Sequence, residues 1–561
     1  MISTCLSKYF KGKIQIFTIL LLILPCINAA SQDTINVLFY PDSKGYKIPS
    51  DFAGLSFEKD NLNSFHFVPS RDTLIRLFQT LGIKSVRIGG NSVDRDTFSV
   101  NTNSTHFTKA ELDSFYLFIE KTGSKVLHGL NFGGDFNPSL ASSESSYIMS
   151  KYSSNIRGLE VGNEPDLYHS NGLRPSTYNI SSYEAQYMTY YDTIKHNSPS
   201  AVFTGPVAAT NYTTFTLPFC RNMHGKFSML TQHYYVAKAY SLNTHKQIIN
   251  LLKASNLNSI VSEVNALVQC ADSVPVPFRM AECNSLYDGG QWSVSDAFVS
   301  SLWALDYMYA LASKGCAGVN FHGGMGGAYT PLAYTKNLYS ARPISYGIMA
   351  FQVGSHGWII PSVVTNNNIN LDIYSTVDSI NTVYTTIVNK DTLQNAFMQI
   401  EAGTGSYPYA SYITLTADSL ADTLNVKLGE QQVNAYGTCL PYNWQTLNVS
   451  AGKTQLLVPA GSAAIIRFSA TPSDIATQIA SENDYTLFPN PAKDEIKVIG
   501  NLSTTVGIDI YNLIGEKVCT LPITDNRLPI TINISNLSKG IYLLEVINND
   551  GLVHALRFIR E

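Results

Sequence analysis

Two glutamates stand where a carboxyl group could work on a substrate. Glu164 lies in Ile156-Arg-Gly-Leu-Glu-Val-Gly-Asn-Glu-Pro165, a short apolar run stopped by Asn-Glu-Pro, so its carboxyl group is expected at the carboxyl end of a strand. Glu282 ends the run Phe278-Arg-Met-Ala-Glu282, which follows Pro275 and Pro277 and precedes a glycine-containing loop. Two such groups are what direct hydrolysis of a glycosidic bond requires. An acid protonates the leaving oxygen and a carboxylate attacks the anomeric carbon, with the two about 5 to 5.5 Å apart. Glu164 is the expected acid, kept protonated by partial burial and by the negative charge of the second carboxylate. Asn163 beside it is expected to hold the sugar 2-hydroxyl.

A third glutamate competes for the place of the nucleophile. Glu263 lies in Ser259-Ile-Val-Ser-Glu-Val-Asn-Ala-Leu-Val268, but the apolar residues Ile260, Val264, Leu267, Val268 and Ala271 recur at helical spacing. That pattern predicts a helix with Glu263 toward solvent, and leaves Glu282 as the nucleophile.

Residues from distant parts of a chain meet only if elements bring them together. Between 50 and 345, short apolar runs alternate with longer amphipathic ones, eight times: 52–58, 85–90, 125–131, 156–164, 202–207, 229–235, 278–282 and 318–322. Eight strand-helix repeats predict an α/β architecture, a (β/α)8 TIM barrel, whose active site is built at the carboxyl ends of the strands. Polar residues gather at those ends: Glu58, Asn91, Asn131, Glu164, His233, Glu282 and His322. His233 and Tyr235 share one face of their strand by period two, so both can reach the site, with Tyr235 orienting Glu282. Arg87 is expected to point inward and support Glu282 or Glu164 by charge. His322 reads equally well as a core histidine.

From 346 to 470 the pattern turns to alternating Thr, Val and Ile, which predicts a β-sandwich packed on the barrel, completed by the strand in 31–49. A polar linker, 471–484, leads to a small all-β module, 485–561. Residues 1–30 read as a secretory signal peptide: lysines, then Ile14 to Leu24 nearly all apolar, then Ala29-Ala30. Cys26 admits a lipid anchor, which Pro25 argues against. No other run is apolar enough to span a bilayer. With 14 % charged residues and a net charge of -4, no basic stripe argues for nucleic acid. The six cysteines beyond the signal lack metal-like spacing and are expected to be buried, with room for one bridged pair; neither metal nor cofactor is expected.

Several motifs carry a resemblance. Glu282-Cys-Asn-Ser-Leu-Tyr-Asp-Gly-Gly290, Ser301-Leu-Trp-Ala-Leu-Asp306, Gly318-Val-Asn-Phe-His-Gly-Gly324, Val86-Arg-Ile-Gly-Gly-Asn91 and Gly162-Asn-Glu-Pro165 resemble glycoside hydrolase family 79, the β-glucuronidase and heparanase family. The resemblance implies a retaining mechanism with Glu164 as acid/base and Glu282 as nucleophile. It also implies that Tyr287, the amides of Asp288 and Gly289, and Tyr329 hold a uronic acid carboxylate, while Glu58 and Asn91 contact sugar hydroxyls. Asp288 departs from the glycine usual at its place and brings a negative side chain near. Tyr485-Thr-Leu-Phe-Pro-Asn-Pro-Ala492 and Gly540-Ile-Tyr-Leu-Leu-Glu-Val546 resemble the C-terminal sorting domain of the type IX secretion system, which implies export to the cell exterior by that machinery. The expectation is a secreted retaining exo-β-glucuronidase acting on glucuronate-containing glycans. An endo-acting heparanase-like enzyme and a non-catalytic surface glycan-binding protein are the alternatives.

Overall fold

The computed structural model describes residues 34–99, 107–133, 136–439, 442–471, 485–500, 505–512, 516–522, 530–548 and 553–561. The expected signal peptide and nearly all of the expected linker lie outside the described residues.

The strand Ile35–Phe39 (β1) comes first in the described chain, and eight parallel strands then close a barrel: Ala53–Glu58 (β2), Ser85–Gly89 (β3), Lys125–Leu130 (β4), Ile156–Val161 (β5), Phe203–Ala208 (β6), Met229–Lys238 (β7), Phe278–Tyr287 (β8) and Val319–His322 (β9). Helices on one side and packed side chains on the other bury both faces of these strands, so they read as continuous apolar runs rather than alternating ones. Ser85–Gly89, for example, is buried at every position. Strand β8 runs five residues past Glu282, and β7 runs to Lys238, so Glu282 lies within its strand and not at its end. The extension exists because β7 and β8 stay paired beyond the barrel wall, from Tyr234 with Cys283 to Lys238 with Tyr287.

Glu263 is on the helix Ala254–Ser273, as its spacing predicts, but it is half-buried rather than turned to solvent, and burial pushes its carboxyl group up to about 7. Cys220 and Cys270 form a disulfide that ties this helix to the short helix Leu217–Asn222.

Two sheets make the sandwich. Strand β1 sits between Ser362–Thr365 and Ala396–Ala402, with Lys453–Val458 beyond; the other sheet is built around Leu371–Val377, Val383–Asn389, Ser462–Ser469 and Tyr409–Thr416. The sandwich rests on the helix Phe298–Ala312, every residue of which is buried. Such a helix has no polar face because barrel and sandwich cover it from both sides. Tyr309 bonds Thr386 of the sandwich, and Asp306 accepts from Tyr374 and Lys390. The last module is all β, a three-stranded and a four-stranded antiparallel sheet around Ile496, Val498, Ile508, Ile510, Leu544 and Phe558. Among the described residues, no helix is long and apolar enough to cross a membrane.

Candidate active site

The carboxyl ends of β2, β3, β5, β7, β8 and β9 converge on Glu282. This carboxylate is nearly fully buried and each oxygen is held. Tyr235 donates its hydroxyl to Oε1 at 2.8 Å, and Arg87 donates Nη1 to Oε2 at 2.6 Å, with His322 Nδ1 3.4 Å from the same oxygen. Burial alone would raise the carboxyl group's pKa. The positive charge around it, from His322, His233 and Arg87, together with the Tyr235 hydrogen bond, prevails and lowers it to about 2. Glu282 is therefore ionised at any ordinary pH.

Arg87 is wholly buried and supplies more than one contact. Its Nε bonds Glu160 Oε2 at 2.6 Å and its Nη2 bonds Asn163 Oδ1 at 2.9 Å. The planar fork thus fixes three groups on two other strands and the loop after β5, which a lysine's point charge could not.

Glu164 is three residues beyond β5, in the left-handed region at φ 51°, ψ 51°. Its amide donates to Val207 O at 3.0 Å and His233 Nδ1 lies 3.1 Å from its Oε1. A non-glycine residue held there costs of order 1–3 kcal/mol and persists only where its surroundings demand it. Gly162 makes the turn possible: at φ +82°, a Cβ there would lie 2.3 Å from the Tyr168 hydroxyl. One oxygen of Glu164, one of Glu282 and a ring nitrogen of His233 all lie within 4.8 Å of one another.

Those three atoms could in principle hold a metal ion. Glu282, however, already accepts from a guanidinium and a phenol, and a buried Arg87 beside it repels a divalent cation. The donor set fits a charge-balanced carboxylate pair better than a metal centre.

The other expected residues fall as follows. Glu58, at the end of β2, accepts the Ser92 amide at 2.7 Å and has His322 Nε2 3.4 Å away; despite burial, these contacts hold its carboxyl group below the usual range. Asn91 is exposed and accepts from Asn163 Nδ2 at 3.4 Å. Tyr235 and Tyr329 stack with ring centroids 6.3 Å apart, and Tyr287 meets Tyr235 edge-on at 6.4 Å, so three phenols gather beside the nucleophile. Asp288 sits at φ 63° with its side chain 3.5 Å from Lys238 Nζ, and its negative charge still reaches Tyr329; Gly289 follows at φ 81° and its carbonyl accepts the amides of Ala328 and Tyr329. Asn131 does not join this group, since its side chain donates to Asp96 O.

Other residues join the site that spacing alone does not single out. His322, open between core and site from its spacing, stands between Glu58 and Glu282, and although burial pulls its pKa down, the two carboxylates raise it overall. Asp94 is buried behind Asn163. Its Oδ2 accepts the Asn163 amide and the Tyr168 hydroxyl, its Oδ1 accepts the Phe132 amide, and burial pushes its carboxyl group up to about 6. Glu160 anchors Arg87 from below. An acid four residues before Glu164, within the apolar run that leads to it, was the one signal available for Glu160; Asp94 had none.

Comparison with known proteins adds two findings. Residues 486–559 match the family described as secretion system C-terminal sorting domain. The last module is a sorting domain. The chain is 22 % identical over 380 residues to a protein named beta-glucuronidase from Aspergillus niger, a match that covers 60 % of this chain and 66 % of that protein. In three dimensions the chain is similar to a 4-O-alpha-L-rhamnosyl-beta-D-glucuronidase from Fusarium oxysporum (TM-score 0.65, 19 % identity, 77 % of this chain and 100 % of the other). It is also similar to a GH51 arabinofuranosidase from Xanthomonas axonopodis pv. citri (TM-score 0.60, 14 % identity, 78 % of this chain and 100 % of the other). The barrel with its sandwich is a glycoside hydrolase fold, shared by enzymes named for different sugars. The fold by itself therefore names no sugar.

Proposed function

We propose that the protein is a retaining exo-β-glucuronidase that removes terminal glucuronate from glycans at the cell exterior. The observation that carries the mechanism is the approach of the Glu164 and Glu282 carboxylate oxygens to within 4.8 Å. That suits direct attack by one carboxylate, because an inverting pair needs roughly 6.5 to 9.5 Å to admit a water. Environment supports the division of roles. Glu282 is surrounded by cationic and hydrogen-bond donors that keep it anionic, while the nearest donor to Glu164 is His233.

In the first step a Glu282 oxygen forms a bond to the anomeric carbon as the glycosidic C–O bond breaks, and Glu164 gives its proton to the departing oxygen. In the second, Glu164 takes a proton from water while that water's oxygen bonds the anomeric carbon, and Glu282 leaves as a carboxylate. Arg87, His322 and the Tyr235 hydroxyl hold the nucleophile in place and ease its release.

The uronate reading rests on Tyr235, Tyr287 and Tyr329 grouped beside Glu282, with Lys238 Nζ 3.5 Å from Asp288 to offset part of the negative charge that would oppose a carboxylate. Neutral donors bind an anion without weakening the nucleophile next to it. The names of the Aspergillus niger and Fusarium oxysporum proteins agree with this sugar. The sorting domain supports export through type IX machinery, with release or surface attachment.

Incubation with a 2-fluoro β-glucuronide bearing a good leaving group tests the reading. Mass spectrometry of the trapped enzyme is expected to place the sugar on Glu282. A label on Glu263, or hydrolysis with inverted configuration followed by NMR, would overturn it.

A further inference from the structure

The last residue of β8 and the loops beyond β7 and β8 carry three large aromatic side chains that stay in solvent: Tyr287 (43 % exposed), Trp292 (49 %) and Tyr240 (64 %). Single exposed rings are ordinary; a contiguous row at the mouth of a site is not. Hydrogen bonds tie together the segments that carry these three. Tyr287 lies against Tyr235, whose hydroxyl holds the nucleophile, and its carbonyl accepts the Ala239 amide at 3.2 Å. The next residue, Tyr240, has its hydroxyl 3.5 Å from the Trp292 amide. The row therefore runs outward from Glu282 across the ends of the two strands that carry His233, Tyr235 and Glu282.

The rings are also fixed. Buried Gln291 accepts the Tyr240 amide at 2.8 Å through its side chain and donates to Leu242 O at 3.4 Å. The Arg342 guanidinium lies over the Trp292 ring, 4.9 Å from its centroid. The backbone is held in the left-handed region at Tyr240 (φ 57°) and Ser293 (φ 62°), neither a glycine. Backbone strain kept at two places beside exposed rings points to a use other than core packing. A flat ring beside a glycosidase mouth suits the apolar C–H face of a pyranose, while its phenol or indole edge stays wet.

The geometry points to a second sugar-binding subsite on Tyr240 and Trp292, which takes a pyranose joined to the uronate that sits over Glu282. This inference rests on the glucuronidase reading and deepens it: the substrate is an oligosaccharide end recognised over at least two rings. Arg342 is the brace of the Trp292 ring.

Two measurements on the full chain separate the subsite from the reading. With Glu282→Gln as background, calorimetry measures binding of methyl β-glucuronide, of a glucuronate linked through C1 to a pyranose, and of one capped at O4 with a pyranose. At least one disaccharide is expected to bind tenfold or more tightly than the methyl glycoside. Trp292→Ala with Tyr240→Ala is expected to remove that advantage, and Trp292→Phe to restore most of it, which shows that the ring and not the fold was lost. Equal binding of all three ligands, or an advantage that survives the double substitution, overturns the subsite. Hydrolysis by the Glu282 parent tests the reading separately: cleavage of the methyl glycoside with no disaccharide preference sinks the subsite alone, and no cleavage or binding of any glucuronide sinks both.

Discussion

At the scale of single residues, the site is organised by one asymmetry. Glu282 has Arg87, His322 and Tyr235 directly on its oxygens, whereas Glu164 has His233. The first arrangement maintains an anion, and the second sets a single ring nitrogen beside the other carboxyl group. Glu164→Ala is expected to lower kcat/KM about 10²- to 10⁴-fold on alkyl glucuronides, whose leaving groups need a proton, and far less on dinitrophenyl glucuronides, which do not. Equal losses measured on the two substrates would remove Glu164 from the acid role. His322 gives a second test through pH. Burial lowers its pKa, but Glu282 and Glu58 raise it above the ordinary histidine value, so the folded state holds this proton more tightly than the unfolded chain. The resulting stability is present in full below about pH 6.5, the value of an unperturbed histidine, and is lost as pH rises through the raised folded value. The difference in Tm between the parent and His322→Gln should accordingly be largest near pH 5.5 and shrink in alkaline buffer. A difference that grows with pH would contradict the placement of charge between Glu58 and Glu282.

At the scale of elements, what matters is how a turn aims a side chain. The eight barrel strands were legible because burial on both faces leaves short apolar runs bounded by polar ends, as in Ser85–Gly89. The ends of those strands were less so. Nothing in Cys283 to Tyr287 says that β8 continues, since its continuation depends on a partner, β7, nearly fifty residues earlier. Asp94 was invisible for a related reason: its importance lies in meeting Phe132, Asn163 and Tyr168, residues of two other loops, which no local pattern encodes. Asn163 and Glu164 were legible from their local motif, but the left-handed turn that presents Glu164 was not. That turn leads to a prediction. Gly162→Ala places a methyl group 2.3 Å from the Tyr168 hydroxyl, at a φ of +82° that alanine disfavours. Either the turn opens or Tyr168 leaves Asp94, and both disturb Asn163 and Glu164. A loss of about 2 kcal/mol or more of stability is expected by denaturant titration, with a fall in kcat on alkyl glucuronides larger than on dinitrophenyl ones. Wild-type behaviour in both would mean that the loop tolerates a wider turn than the packing allows.

At the scale of the whole molecule, barrel and sandwich are joined as one body through the buried helix Phe298–Ala312. At the joint Tyr309 bonds Thr386, and an ionic cluster sets Lys390 of the sandwich against Asp306 of that helix and Asp372 of its own sheet, while Tyr374 adds its hydroxyl to Asp306. Lys390 and Asp306 are almost completely buried, so neither can exchange its partner for water. The two neighbouring carboxylates outweigh burial and hold the Lys390 ammonium above its usual range, which keeps it charged. Removing one member of such a cluster is far costlier than removing the pair, because the remaining charge has no solvent and no partner. Lys390→Met should therefore destabilise the protein by about 3–5 kcal/mol. Lys390→Met combined with Asp306→Leu should recover much of that loss, as the apolar packing around Trp303, Tyr309 and Phe351 remains. Scanning calorimetry of the chain truncated before residue 472 would read both. A single transition shifted downward in the first variant and largely restored in the second is expected if the joint makes barrel and sandwich one cooperative unit. Two separate transitions in the parent protein would refute that, and would make the sandwich an appended module whose loss leaves the catalytic barrel intact.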